Sequence, residues 1–136
     1  MTLRGYSSIP AYFNHKNYWR QLDTQTTKLL LCHYCIISSN SKEALEWLDQ
    51  LDEAILSPRD LLLYCFFRFV LEPDKREEDA QRIDELLQKG VRREGYYFGY
   101  LVNGEHIRND PDYGRIRAYA ENITTPFQSR NDTTAE

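Results

Sequence analysis

The 136-residue sequence predicts an all-α fold, an α-α superhelix of about three helical hairpins. Residues 61–71 are apolar or aromatic at every position except Arg68. A helix with this pattern must be covered on all sides. The neighbouring segments instead carry apolar residues at helical spacing, with charged residues on the opposite face. The two kinds of helix alternate, and a pair with one helix of each kind recurs about every 34 residues, which is typical of stacked helical hairpins.

Three regions are predicted along the chain. Residues 1–22 form an aromatic, irregular N-terminal arm, in which Pro10 excludes a long continuous helix. Residues 23–123 form the helical-hairpin repeat domain. Residues 124–136 are polar, carry only Phe127 as a large apolar residue, and are predicted to be a disordered tail. The arm either covers one end of the core or exchanges onto a partner, and both alternatives stay open.

Six helices are predicted within the hairpin domain. The strongly apolar helices span residues 24–37, 58–71 and 93–102, and the one-sided helices span residues 41–56, 74–89 and 110–123. Ser57 can cap the central helix, and Pro58 suits its first position because proline lacks the N–H that is unsatisfied there. Gly90 is expected just beyond the end of the fourth helix.

Composition and charge narrow the function classes. The net charge is −4, with acidic and basic residues interleaved, so the basic stripe of a nucleic-acid-binding protein is missing. Binding of nucleic acid through Arg92, Arg93 and Arg108 is therefore a minor alternative. The central apolar helix, about 21 Å long, is too short to cross a bilayer. Three cysteines do not form a disulfide framework, and the N-terminus does not resemble a secretory signal, so we expect a cytoplasmic protein with no membrane partner.

Residues 98–123, FGYLVNGEHIRNDPDYGRIRAYAENI, resemble the Sel1-like form of the tetratricopeptide repeat. The positions that recur in that form are occupied by Gly99, Gly104, Ile107 and Asp110. Residues 41–51 resemble the second helix of such a repeat, whereas the middle unit lacks the glycines. The resemblance extends over about residues 24–123. It implies a protein-binding scaffold that has no catalytic chemistry and no cofactor.

Cys32 and Cys35 have the most suggestive local spacing for chemistry. Two thiols three residues apart share a helix face and could begin a zinc site. A second pair of ligands is not evident in the sequence, and cysteines in an apolar helix usually pack as small hydrophobic residues. A metal- or thiol-dependent helical enzyme or sensor using Cys32 and Cys35 is the alternative function.

Arg68 is the one charged residue within the central apolar run. Its guanidinium either pairs with Glu72, one turn on, or lines the concave side of the superhelix as an anchor for a partner. The candidate partner-binding residues are Tyr34, Tyr64, Arg68, Glu72, Tyr97 and Tyr100. The predicted function is a non-enzymatic scaffold for a dedicated partner protein or peptide, as in a chaperone, an adaptor or a toxin-neutralising immunity protein. An uncovered end of the stack would favour a homodimer.

Overall fold

The computed structural model describes residues 24–126, and within this range the chain is helical with no β-strand. Seven α-helices occur in this part: α1 Thr24–Ile37, α2 Ser41–Asp49, α3 Pro58–Leu71, α4 Arg76–Gln88, α5 Gly99–Val102, α6 Glu105–Arg108 and α7 Tyr113–Thr124. Two 3-10 turns lie at Glu53–Ile55 and Pro73–Lys75. The chain divides into two compact units, Met1–Leu56 and Ser57–Glu136. The predicted N-terminal arm lies outside the described residues, as does most of the predicted tail.

The first unit contains a hairpin in which α1 packs against α2. The turn between them is closed by the N–H of Asn40, which donates to the carbonyl of Cys35 at 2.8 Å. Ser39 adopts a positive φ of 63° in this turn, a conformation that glycine usually supplies at a helix end. Asn40 then caps α2, because its side chain accepts the N–H of Glu43 at 3.2 Å and donates to the Glu43 carboxylate at 2.9 Å.

The predicted helix over residues 41–56 is too long. The structure ends α2 at Asp49, and a separate 3-10 turn follows. The Asp52 carboxylate accepts the N–H of Ala54 at 3.0 Å and so caps that turn. Short aspartate side chains favour such local bonds, which compete with a continuing helix. As a result Ile55, the last residue of this turn, is 63% exposed, although its spacing of seven residues from Leu48 would place it on the buried stripe of a continuous helix.

In the second unit, α3 has the predicted bounds, 58–71. Ser57 caps it by accepting the N–H of Asp60 at 3.2 Å, and Pro58 occupies the first turn. Eight of its side chains are buried: Leu62, Leu63, Tyr64, Cys65, Phe66, Phe67, Phe69 and Val70. The prediction of a helix buried nearly all round is therefore confirmed. None of the helices between residues 24 and 126 combines the length and apolarity that a membrane crossing requires.

Helices α4 and α7 both contact α3. The predicted fourth helix is confirmed, although its first turn is a 3-10 turn and α4 proper begins at Arg76. Gly90 follows its end with a φ of 87°, as predicted. Ala80 and Ile83 of the predicted apolar stripe are buried. Within the described chain, two packed helical hairpins, α1–α2 and α3–α4, are thus present.

The predicted helix over residues 93–102 is largely wrong. Only its last turn, α5, is helical, and residues 91–98 form an irregular segment. Gly95 has a φ of 81°, which interrupts a right-handed helix. The last predicted helix begins at Tyr113 rather than at Asp110, because the Asp110 carboxylate accepts the N–H of Asp112 at 2.8 Å and closes a turn. The short helix α6 was not predicted.

Candidate functional site

The irregular segment 91–98 is fixed at its start. The N–H of Arg93 donates to the carbonyl of Ile123, near the end of α7, at 2.7 Å. The Arg93 guanidinium also pairs with Asp60, in the first turn of α3, at 3.2 Å. The segment is therefore bonded to both helices that flank it, although it has no regular secondary structure.

The aromatic side chains of this segment alternate between the core and the solvent. Phe98 is buried, with ring centroids 4.8 Å from Phe66 and 4.9 Å from Tyr96. Tyr97 and Tyr100 point outward and are 65% and 71% exposed. Their two rings meet edge to face, with centroids 5.5 Å apart and an interplanar angle of 82°. Two predicted binding residues thus form one exposed aromatic pair, which we call the tyrosine pair.

A groove of about 190 Å³ lies beside the tyrosine pair, between residues 96–102 and α7. We call it the tyrosine groove and define it by Tyr96, Tyr97, Phe98, Val102, Arg117 and Glu121. Its walls are mainly aromatic and aliphatic. The two charged residues form an i,i+4 ion pair on α7, with 3.5 Å between Arg117 Nη2 and Glu121 Oε2.

Gly99 lies in the wall of the tyrosine groove. A Cβ at this position would clash with the ring of Tyr97. The absence of a side chain therefore lets the Tyr97 ring lie against the backbone of α5. The close approach that Gly99 permits is therefore to an exposed tyrosine.

Tyr64, Arg68 and Glu72 come together along one face of α3. Arg68 Nη2 donates to the Tyr64 hydroxyl at 3.0 Å, and Arg68 Nη1 donates to the Glu72 carboxylate at 3.0 Å. Tyr64 is 4% exposed, and the Arg68 and Glu72 side chains are 16% and 20% exposed. This geometry favours internal pairing of Arg68 with Glu72. A role for the three residues in binding a partner stays a prediction.

Asp79 of α4 lies near Arg68 and Glu72, in surroundings that disfavour its charged form. It is 5% exposed, and its Oδ2 accepts no hydrogen bond from any residue in the described range. Burial, reinforced by the negative charge of Glu72, raises the pKa of Asp79 to about 6, although Arg82 and Arg68 act in the opposite direction. Asp79 follows Glu77 and Glu78 in an acidic run that is typical of a solvated helix face. Its i,i+4 relation to Ile83 is a signal that could have shown that it faces the core.

A second buried charge, Arg76, was missed in the sequence. Arg76 is the first residue of α4 and is 5% exposed. Its Nε and Nη2 donate to the carbonyls of Phe69 and Val70 at 2.8 and 3.1 Å. These carbonyls belong to the last turn of α3, where helix geometry leaves carbonyl groups without donors. Arg76 therefore caps the end of α3 with its side chain.

The remaining donors of Arg76 bind the residues that precede α7. Asp110 accepts two of them in a bidentate pair, with both N···O distances 2.7 Å, and Asp112 accepts another at 3.0 Å. Together with the two carbonyls, these acceptors engage all five N–H donors of a guanidinium. The hydrogen bond from Arg76 also holds the pKa of Asp110 below its ordinary value. We call Arg76, Asp110 and Asp112 the arginine cluster.

One feature of the sequence could have shown that Arg76 needs an acidic partner. A cation in the first turn of a helix opposes the helix dipole, so Arg76 at that position requires a compensating acid. What the sequence could not show is that the acid comes from residues 110–112. The full use of its donors makes the cluster a structural element that joins α3, α4 and the start of α7.

The first unit contains Tyr34 and the cysteine pair. Tyr34 is half-buried on α1, whereas Cys32 and Cys35 are fully buried. Burial, with the charges of Glu43 and Glu46, raises the pKa of Cys35 to about 12, which disfavours the thiolate needed for metal binding or nucleophilic attack.

The rest of the described chain offers no alternative metal site. Among residues 24–126, no group of three or more His, Cys, Asp or Glu side chains is placed to hold a metal ion. Burial also lowers the pKa of His33, which lies between the two cysteines in sequence, to about 4.

The fold and surfaces described above are those of an all-α protein with packed helical hairpins. Comparison of the chain with protein-family models, curated proteins and solved structures gives no match. The assignment of a function therefore depends on the surfaces themselves.

Proposed function

We propose that this chain is a non-enzymatic scaffold that binds a partner protein or peptide through the tyrosine pair and the tyrosine groove. The observation that carries the proposal is the exposure of Tyr97 and Tyr100, at 65% and 71%, at the end of an anchored segment and in the short helix α5 that follows it. Large rings that remain in water after folding provide apolar area that a partner can cover. Tyrosine is also enriched in protein interfaces, since it combines a rigid ring with a polar hydroxyl.

The anchoring of the segment supports the same proposal. Arg93 holds the segment through its N–H bond to Ile123 and its ion pair with Asp60. Phe98, the last residue of the segment, fixes its end in the aromatic core. A surface that is already ordered loses less conformational entropy when a partner binds. The tyrosine pair thus satisfies two requirements of a binding site, available apolar area and preorganisation.

We further propose that the hairpins belong to a degenerate tetratricopeptide-like superhelix of the Sel1-like kind. Two features support this architecture. Helices α1 and α3 begin 34 residues apart, at Thr24 and Pro58, and each packs against the helix that follows it. In the third predicted repeat, the short helix α5 takes the place of a long first helix. Tyr97 lies in the irregular segment that precedes α5, and Tyr100 lies in α5 itself. We therefore place the binding surface where the repeat departs from its regular form.

A dedicated partner would suit a chaperone, an adaptor or a toxin-neutralising immunity protein in the cytoplasm. All three tasks need a binding surface and no catalytic group. The buried Cys35 thiol, whose pKa is raised to about 12, supports the non-enzymatic proposal over a thiol-dependent one. A homodimer remains the alternative use of the same exposed aromatic area.

Affinity capture with a matched pair of variants tests the proposed function. The full chain is immobilised, exposed to extract from its native source, and compared with a Tyr97→Ala/Tyr100→Ala double variant. Ile55→Ala serves as the control, because Ile55 is also a large exposed apolar residue but lies in the other unit. We expect a specific partner to be retained by the wild-type chain and the control and lost by the double variant.

Circular dichroism shows whether the double variant remains folded. If a folded double variant retains the same partners as the wild type, the tyrosine pair is not the binding surface, and the proposal is wrong.

A further inference from the structure

We infer that the tyrosine groove binds an uncharged, proline-containing segment of the partner in an extended conformation. This inference rests on the proposed function and specifies the chemistry of the ligand. It depends on the charge, size and hydrogen-bonding groups of the groove, which are considered in turn.

The charge of the groove disfavours a charged ligand. Its two ionised residues, Arg117 and Glu121, already pair with each other at 3.5 Å and are 55% and 71% exposed. An acidic segment attracted by Arg117 would be repelled by Glu121, and the reverse holds for a basic segment. The remaining walls are uncharged: they are aromatic, aliphatic or glycine apart from Thr124, whose hydroxyl donates to the carbonyls of α7. Electrostatic complementarity therefore favours a ligand with no net charge.

The size of the groove disfavours a helical ligand. A helix binding in a groove usually inserts anchors at positions i, i+3 or i+4, and i+7, which extend over about 10 Å along its axis. The volume of about 190 Å³ is roughly that of one large side chain. About one side chain of an extended segment fits this volume, and the adjoining tyrosine pair can contact the residues next to it in that segment.

The tyrosine side chains match the chemistry of a polyproline II segment. Such a segment has no internal hydrogen bonds, so its carbonyls remain free to accept from tyrosine hydroxyls. Its proline rings offer flat apolar faces to the rings of Tyr97 and Tyr100, which stand at 82° to each other. Proline-rich segments bind aromatic-lined grooves in this way, and their restricted backbone reduces the entropy lost on binding.

A peptide array tests this inference directly. The full-length chain is applied to uncharged octapeptides that contain two prolines, to the same peptides with alanine in place of proline, and to the same peptides with added lysine or glutamate. We expect binding to the proline set to exceed binding to the alanine and charged sets by about tenfold. Tyr97→Ala and Tyr100→Ala should each weaken this binding by about fivefold or more, and Ile55→Ala should leave it unchanged.

Two further readouts sharpen the test. Because the ligand is uncharged, affinity should change little between about 0.05 M and about 0.5 M salt. Amide NMR shifts caused by the best proline peptide should concentrate at residues 96–102 and 117–124.

Equal binding to the alanine peptides, preference for a charged set, or shifts elsewhere in the chain would overturn the inference. Concentration-dependent dimerisation that Tyr97→Ala abolishes would identify a second copy as the occupant and would also overturn it. If tyrosine-dependent partner capture persists while the array shows no preference for proline, only the ligand chemistry is wrong. If no captured partner depends on the tyrosine pair, the proposed function itself fails.

Discussion

The arginine cluster and the tyrosine pair lie in the same unit but have opposite relations to water. Arg76 is 5% exposed, and its five donors all meet acceptors of the chain. Tyr97 and Tyr100 are more than half exposed and chiefly contact each other and the groove. The cluster uses its polar groups to hold three helices together. The tyrosine pair leaves its apolar area uncovered, which is why we assign stability to the first region and recognition to the second.

Two carboxylates that are largely shielded from solvent extend this comparison. Asp110 faces Arg76, and that hydrogen bond lowers its pKa. Asp79 is more deeply buried, at 5% exposed against 16% for the Asp110 side chain, and burial without a full set of partners raises its pKa to about 6. A buried acid thus stabilises the fold when a guanidinium binds both its oxygens and destabilises it when one oxygen is left without a donor.

Loss of Arg76 is expected to have the largest effect. Arg76→Met keeps much of the apolar stem but removes the guanidinium donors from Asp110, Asp112 and two α3 carbonyls. Breaking a buried ion pair from one side typically costs about 3–5 kcal/mol, since the remaining charge stays buried. Urea unfolding should show this loss in the free energy of unfolding.

Arg117→Ala is the matched control, because its ion pair with Glu121 is exposed and should contribute less than about 1 kcal/mol. If the two variants lose equal stability, the arginine cluster does not hold the helices as described.

Removal of the Asp79 charge should raise the free energy of unfolding, by less than the loss of Arg76 lowers it. The folded pKa of about 6 exceeds the ordinary value of 3.8, so neutral Asp79 is favoured by folding. The stability that neutral Asp79 has relative to its charged form is fully present below pH 3.8 and is lost as the pH rises through about 6. Asp79→Asn should therefore be more stable than the wild type at pH 7, by about 1–2 kcal/mol after allowing for solvent screening.

Thermal and urea unfolding between pH 4 and pH 7 measure this difference, with Asp74→Asn, at an exposed site, as the control. The wild type should lose stability across this range relative to Asp79→Asn, whereas the control should follow the wild type. Asp110 adds a change of the other sign, because the stability from its lowered pKa is lost only as the pH falls below 3.8. Parallel curves for Asp79→Asn and the wild type would show that Asp79 is not destabilising.

The parts of the fold that local sequence determines were predictable. Helix α3 has its cap at Ser57, its proline at the first turn and an uninterrupted apolar run, so both its bounds and its burial could be predicted. Residues 93–102 also have the composition of a buried helix. Their irregular path depends on Gly95 adopting a positive φ and on bonds to the end of α7, which lies about 30 residues away in sequence. Such long-range bonds leave no local pattern.

The same distinction applies to the candidate site. Three tyrosines at 96, 97 and 100 cannot all face one way on a helix, so the exposure of at least one was predictable, and two of the three are exposed. The arginine cluster was not predicted, because its partners are separated by 34 and 36 residues. Burial of Asp79 was missed because neighbouring acids of α4 made the whole stretch resemble a solvated face.

The smallest expected effect concerns the stability contribution of the tyrosine pair. Tyr97→Ala and Tyr100→Ala should each change the free energy of unfolding by less than about 0.5 kcal/mol, because rings already in water bury little area on folding. Phe98→Ala, at the buried position between them, should cost about 3–5 kcal/mol through the cavity left beside Phe66. Urea unfolding of the three variants gives both values. A large loss for Tyr97→Ala or Tyr100→Ala would assign the tyrosine pair to the core and remove the contrast with the arginine cluster. Small losses, combined with the loss of partner capture, would separate recognition from stability within residues 97–100.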